Sequence, residues 1–487
     1  MSKIKSDSTQ IPVLPPLVFA TASVHSIGGV SVFQNQGYVT SQNVQAFYSN
    51  PYLSEIAVQK LLSAGFQVLG VTEIGISIAA PPETYEKAFN TKIVAEERPV
   101  IKSMGLQDTA TFVECPETPL AGLIDPRKSS FADCLEGVAI NDPVYFMSFP
   151  TAFAPTKSYW HLDVPAGVSL GLNADKAHRM GVTGKGVNVA MVDTGWYKHP
   201  FFVERGYKFM PAVLGPSTAN PNADESGHGT GESANIFSAA PDVKFRMVKM
   251  SFVDSLGAFN TAVAMNPHVI TCSWGSDKRT PNSLTAADIM LATAISNAVR
   301  RGIVVVFSAG NGHYGFPGQH PDVISAGGTF MNPDGTMKAS DYASGFISPN
   351  YPNRRCPDVC GLVGMKPKAA YIMLPVEPKD EIDIGLSAGG VAFPNGDGTA
   401  PNDGWAAFSG TSAAAPQLAG VCALIKQVRP ALTPFQIREI LKKSARDVTS
   451  GNCNTASTGA AATVGADIAT GAGLVDAYAA VQLALTF

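Results

Sequence analysis

The sequence predicts an α/β protein: a mostly parallel sheet with helices on both faces, preceded by a small α+β module. Two observations carry this. From Gly181 onward, short apolar runs rich in β-branched residues alternate with helical patterns, as expected of parallel strands covered on both faces. Between residues 53 and 94 the order is helix, strand, strand, helix, a module that packs its helices on one sheet face. The composition agrees. Of 487 residues, 45% are apolar and 15% charged, against roughly 25% charged for an average soluble domain. Such a chain buries a large core and is not a disordered one.

The elements can be justified in order. Met1–Gln10 carries Lys3 and Lys5, Ile11–Phe19 is apolar, and Ala20-Thr21-Ala22 imitates a signal cleavage site. Pro12, Pro15 and Pro16 interrupt that run and argue against a signal peptide. A strand is expected at Val30–Phe33. Leu53–Leu62 has apolar residues near helical spacing and is closed by Gly65. Phe66–Leu69 and the alternating Ile74–Ile78 predict strands, Pro81-Pro82 opens a helix over Glu83–Phe89, and Lys92–Val94 adds a strand. Residues 96–160 are rich in proline and turn formers, which predicts a connection or a processing segment. Beyond Gly181, strands are expected at Val187–Val192, Lys244–Met250, Val269–Cys272 and Ile303–Phe307, with a helix over Ser283–Arg300. Residues 330–405 interrupt this alternation with loops. Helices return at Ala413–Val428 and at Pro434–Ser444, the latter capped by Thr433.

Charge and cysteine content exclude several classes. Lys+Arg 35 against Asp+Glu 39 gives a net charge of −4, and no basic run is present, so nucleic acid is not an expected partner. No uninterrupted apolar stretch of about 18 residues occurs, so a membrane partner is not expected either. Seven cysteines, an odd number at low density, do not make a disulfide framework. Cys356 and Cys360 lack the second pair that a zinc site needs. Unpaired thiols point to a reducing, cytoplasmic location, with secretion as the alternative.

Three phrases carry chemistry, each where an apolar element meets glycines. Val192-Asp193-Thr194-Gly195 follows a predicted strand, and such sheets form their crevices at the carboxyl ends of strands. Ser226-Gly227-His228-Gly229-Thr230 sets an imidazole between glycines that let other backbone approach. Phe408-Ser409-Gly410-Thr411-Ser412 runs into a helix, placing Ser412 near an N-terminus that favours a developing oxyanion. A serine hydroxyl becomes nucleophilic when a neutral imidazole takes its proton, and a carboxylate must orient that imidazole. Asp193, His228 and Ser412, in that order and in these phrases, closely resemble the subtilisin-like serine peptidases, the subtilases. The resemblance spans roughly residues 170–487.

It implies a subtilisin-like fold and further roles. Asn311, in Ser308-Ala309-Gly310-Asn311-Gly312 after a strand, would supply the side-chain half of the oxyanion hole. Ser273-Trp274-Gly275 would form one edge of the peptide groove, with Trp274 either narrowing a pocket or serving as an ordinary core tryptophan, and Ser308-Ala309-Gly310 the facing wall. No cofactor is required. Structural calcium, common in the family, has candidates in Asp380, Glu381, Asp383, Asp397 and Asp403, but no defined cation-loop spacing. His199, His268, His313 and His320 lack mutual ligand spacing and read as structural. Residues 52–94 resemble activation propeptides of the pro-kumamolisin and subtilase type, which fold as a ferredoxin-like module and place their tail in the groove.

The expected organisation is therefore a propeptide-like domain at 1–110, a linker or processing segment at 111–165, and a peptidase domain at 166–487. The expected function is serine endopeptidase action through an acyl-enzyme on Ser412, from a zymogen. Its partners are a peptide or protein substrate and its own propeptide. A peptide ligase or macrocyclase with the same triad, and a binding protein with a permanently filled groove, are the alternatives.

Overall fold

The computed structural model describes residues 12–34, 37–102, 106–146, 160–388 and 396–487. The N-terminal unit is built from β1 (Val18–Val24), α1 (Pro51–Ser63), β2 (Gln67–Thr72), β3 (Gly75–Ala80), α2 (Pro82–Phe89), the hairpin β4 (Val94–Lys102) and β5 (Leu106–Glu114), then β6 (Leu123–Ile124) and β7 (Leu135–Ile140). Its sheet order, β2-β3-β1-β7-β6, is antiparallel. With the hairpin set aside, β1-α1-β2-β3-α2-β7 is the ferredoxin-like βαββαβ arrangement. Helix α1 starts where the Asn50 side chain accepts the N–H groups of Tyr52 and Leu53, with Pro51 in the first turn.

Two expectations for this unit are corrected. Val30–Phe33 lies in loop and turn, not strand. The first strand is instead β1, which holds Ala20-Thr21-Ala22 at its centre. It is buried along its whole length between β3 and β7, so it lacks the alternation that would have announced it. Residues 96–160 are not simply a connection either. They supply the hairpin and then β6 and β7, so the N-terminal sheet extends well past residue 110. Besides β6, β7 pairs with β1, more than a hundred residues earlier, and no local pattern encodes that pairing. A further short strand, β8 (Tyr145–Phe146), follows.

The second unit opens with β9 (Leu162–Asp163) and the short helices α3 (Ala166–Gly171) and α4 (Ala174–Arg179). Strand β10 (Asn188–Asp193) starts the main sheet, followed by α5 (Pro200–Glu204) and β11 (Val213–Leu214). Next come α6 (His228–Ala239), β12 (Lys244–Lys249), α7 (Ser255–Ala264) and β13 (Val269–Cys272). After Ser273 the chain enters β14 (Trp274–Asp277), which leaves the main sheet. Helix α8 (Ala286–Arg300), β15 (Val304–Ser308), β16 (Gly315–Phe316), β17 (Ile324–Met331) and β18 (Met337–Ala339) follow. The sheet order is β11-β12-β10-β13-β15-β17-β18, parallel except for the β17/β18 pair. Strands β13 and β15 are buried throughout, which explains their unbroken apolar text. Later, α9 (Glu381–Ser387) lies in the loop-rich region, and α10 (Thr411–Val428) packs across β13, β15, β17 and α6.

The N-terminal unit docks on α7 and α8. Val39, Val44, Phe47 and Ile74 share a core cluster with Leu256, Phe259, Met290 and Ile295. Its Asn141 amide donates to Asp254, the residue capping α7, at 2.9 Å. Its Asp142 carboxylate accepts the hydroxyl of Thr285, which caps α8, at 2.5 Å. The capping side chains of two helices are thus each held by one of two adjacent residues of the N-terminal unit.

Candidate active site

Strand β10 delivers Asp193 to the carboxyl end of a central strand, fully buried. Its Oδ1 accepts the N–H and hydroxyl of Thr194 at 2.8 and 3.3 Å and lies 2.8 Å from Nδ1 of His228. Thr194 Oγ1 in turn accepts the N–H of Gly229 at 2.9 Å. His228 is the first residue of α6. A Cβ at Gly229 would come within 2.4 Å of the Gly195 carbonyl, so glycine is what lets the two turns touch.

Ser412 is the second residue of α10, in the turn whose N–H groups have no partner within the helix. Its hydroxyl donates to the Ser273 carbonyl at 3.3 Å, and the Ser273 hydroxyl donates back to the Ser412 carbonyl at 2.9 Å. This reciprocal pair fixes the α10 N-terminus against the turn between β13 and β14. Asn311 follows β15, and its Oδ1 accepts the N–H and hydroxyl of Thr411 at 3.0 and 3.1 Å. The amide is thereby oriented, with its donor end on the opposite side from Thr411. All four predicted residues are buried and brought to one end of the sheet.

The electrostatics centre on the imidazole. Burial pulls His228 down, but the Asp193 carboxylate and its hydrogen bond, then Glu232 and Asp224, outweigh it and push the group up to about 9. Asp224, fully buried, accepts the N–H and hydroxyl of Thr230, each at 2.7 Å, and burial raises it above the usual carboxylate range.

Strand β14 presents one edge to β16 and the other to β8. The β8 pairing is antiparallel, with Phe146 opposite Trp274 and Tyr145 opposite Gly275. Trp274 and Gly275 thus pair with an extended strand, and that strand is the chain's own. The Trp274 side chain does not narrow a pocket. It is buried, donates from Nε1 to the Val192 carbonyl at 2.8 Å, and meets Phe307 edge-on at 5.2 Å. Ser308-Ala309-Gly310 is not a second pairing wall either. Ala309 N–H bonds the Ala326 carbonyl, Ala309 carbonyl accepts from Gly315, and Gly310 N–H goes to Thr411 Oγ1. This segment carries Asn311 and buttresses the Ser412 turn.

Three of the carboxylates named as calcium candidates hold backbone or side-chain donors of their own loops. Asp380 caps α9, Asp397 accepts from Thr399 and Ala407, and Asp403 accepts from Ala400 and Trp405. Among the described residues no group of three or more His, Cys, Asp or Glu side chains is arranged to hold a metal ion. His199 caps α5, and His268 accepts the N–H of Asn188. All seven cysteines are buried and unpaired, and among the described residues no helix is long and apolar enough to cross a membrane.

Comparison with known proteins decides the family. The model for the subtilase family matches residues 184–465, more than half of the chain and including all four candidate residues. The chain belongs to the subtilase family. Its relatives include subtilisin BL of Lederbergia lenta, 28% identical over 309 residues, 59% of this chain and 94% of that protein. M-protease of Shouchella clausii strain KSM-K16 is 29% identical over 311 residues, 60% of this chain and 66% of that protein. Among solved structures, fervidolysin from Fervidobacterium pennivorans, a keratinolytic enzyme related to subtilisin, superposes with a TM-score of 0.58 at 17% identity. That superposition takes in 98% of this chain and 62% of fervidolysin, and it shows the fold. This subtilase is a serine endopeptidase of the subtilisin type.

Sequence reasoning missed two neighbours of these residues. Strand β8 is too short to carry a periodic signal. Glu232 falls four residues after His228, the spacing that puts two side chains on one helix face, and that spacing was the available clue.

Proposed function

We propose that this chain hydrolyses peptide bonds through Ser412, with His228 as general base, Asp193 as its orienting carboxylate and Asn311 as oxyanion donor. The Asp193–His228 contact of 2.8 Å, with both groups buried, is the observation that carries the assignment. In the first step Ser412 Oγ attacks the substrate carbonyl while His228 Nε2 takes its proton. His228 then returns that proton to the leaving amine, and water repeats the cycle on the acyl-enzyme. The oxyanion falls between the Asn311 amide and the N–H groups at the start of α10. This chemistry uses protein groups alone.

Replacing Asn311 with Ala is expected to lower kcat by about 10²–10³ with little change in KM, a figure taken over from the loss of such a donor in subtilisin itself. Steady-state kinetics on a peptide substrate checks it. The Thr411 N–H loses its acceptor in the same variant, so thermal stability is to be measured alongside.

The N-terminal unit, running through Ile140, is an inhibitory propeptide in this reading. Two features support it: the unit is docked on α7 and α8, and β8 extends from it along the β14 edge next to Ser273, against which the Ser412 hydroxyl lies. A segment so placed runs as a substrate would, toward the nucleophile. The peptidase unit then begins beyond β8, close to the expected 166–487. Seven unpaired thiols favour maturation in a reducing compartment such as the cytoplasm.

Intact-mass measurement of wild type and Ser412→Ala after expression tests the propeptide. The expected result is loss of an N-terminal fragment only in wild type, with its new end shortly after Phe146. Equal full-length masses would instead favour a permanently filled groove. Product masses from an incubated precursor peptide distinguish hydrolysis from ligation, since water adds 18 Da and an internal amine does not.

A further inference from the structure

Glu232 has a feature that the triad does not explain. It is fully buried on α6, and its Oε1 has no hydrogen-bond partner. That oxygen lies 4.0 Å from Nε2 of His228, the nitrogen that exchanges protons with nucleophile and leaving group. An unpartnered buried carboxylate oxygen costs stability, so a fold that keeps one calls for a reason.

The other oxygen is held firmly. Oε2 accepts from the Asn235 amide at 2.9 Å, Asn235 Oδ1 accepts from Gln417 at 3.2 Å, and Gln417 Oε1 accepts the Leu362 N–H at 2.7 Å. Gln417 sits on α10, five residues after Ser412. The chain of amides thus fixes Glu232 relative to both the histidine helix and the serine helix, and leaves Oε1 on the His228 side.

We propose that Glu232 is a positioning residue for His228, a second carboxylate whose charge sets the pH at which the imidazole becomes a base. The proposal rests on the triad reading above. At 4.0 Å the contact is an ion pair and not a hydrogen bond, so the coupling is electrostatic and no proton need pass between the two groups. When Glu232 is ionised it favours the imidazolium. When it is protonated it leaves Asp193 as the closest carboxylate.

The surrounding charges define the expected behaviour. Facing His228 are Asp193 from β10, Glu232 from α6 and Asp224 from the loop before α6. Asp380, at the start of α9, faces Asp224 and packs its carboxylate against Gly227, the residue before His228, and the Cys272 thiol on β13 faces Asp193. From α10 the neighbour of this network is the neutral Gln417. Burial pushes Glu232 up to about 8, against the pull of His228. Glutamate and imidazole therefore titrate over one range, and each feels the state of the other.

The test is the pH profile of kcat/KM for wild type and Glu232→Gln. Glutamine keeps the volume and the oxygen that Asn235 binds, and removes the charge. The acid limb is expected to move to lower pH by about one unit, the size of effect an opposite charge has at this range. A packing role alone would lower the rate at every pH without moving the limb, and an unmoved limb in a folded, phosphonate-reactive variant overturns the proposal. Loss of phosphonate reactivity in wild type would instead strike the triad reading, so the two failures are distinguishable. Should Glu232→Gln not fold, the Ser412→Ala chain labelled with ¹⁵N-histidine keeps the question open to measurement. His228 should then titrate in two coupled steps, and a single one-proton curve overturns the proposal.

Discussion

Replacing Ser412 with Ala is expected to abolish peptidase activity, with a loss in kcat on the order of 10⁶, the scale seen when a triad acting as a unit loses its nucleophile. The substitution removes a single oxygen. Ser412 Oγ donates only a long 3.3 Å bond to the Ser273 carbonyl, whereas the Ser412 backbone keeps its bond from the Ser273 hydroxyl. The α10 N-terminus should therefore stay in place, and the variant should fold with unchanged thermal stability to within about 1 kcal/mol. Activity lost together with the fold would show that Ser412 is structural. Activity lost without it assigns chemistry to the hydroxyl.

Replacing Asp193 with Asn should cost about 10⁴ in kcat at neutral pH. The amide would offer an N–H where the carboxylate accepts one, forcing Nδ1 to become the acceptor and placing the ring proton on Nε2. A base protonated at the working nitrogen cannot take the serine proton. The pH profile adds a sign. His228 is raised to about 9 chiefly by Asp193, against burial, so removing that charge should carry the acid limb downward along with the rate. Glu232→Gln should move the limb in the same direction while retaining far more of the maximal rate. The contrast separates a carboxylate that fixes the tautomer from one that supplies only charge.

Much of this site was legible because its residues sit in phrases whose geometry is local. Asp193 ends a strand, His228 begins a helix, and Ser412 begins another, each marked by an apolar run meeting glycine. The strands β13 and β15 were legible for a related reason, since burial on both faces leaves unbroken β-branched text. The same burial hid β1, whose small residues mixed with alanine and serine look like neither pattern. What pairs over long range was not legible at all. β7 joins β1, and β8 joins β14, through backbone bonds that no side chain announces. The groove wall was misread for a physical reason too. Backbone groups of Ala309 and Gly310 look available in a glycine-rich loop, but the fold uses them to brace Thr411 and the β16 turn.

The assignment of Ser412 as nucleophile can be tested most directly by covalent labelling. The wild-type protein is incubated with an alkyl fluorophosphonate, digested and mapped by mass spectrometry. One adduct is expected, on Ser412, in protein that has released its N-terminal unit, and the Ser412→Ala chain should carry none. An adduct on a different serine, or none on either the full-length or the shortened wild-type chain, would contradict the account.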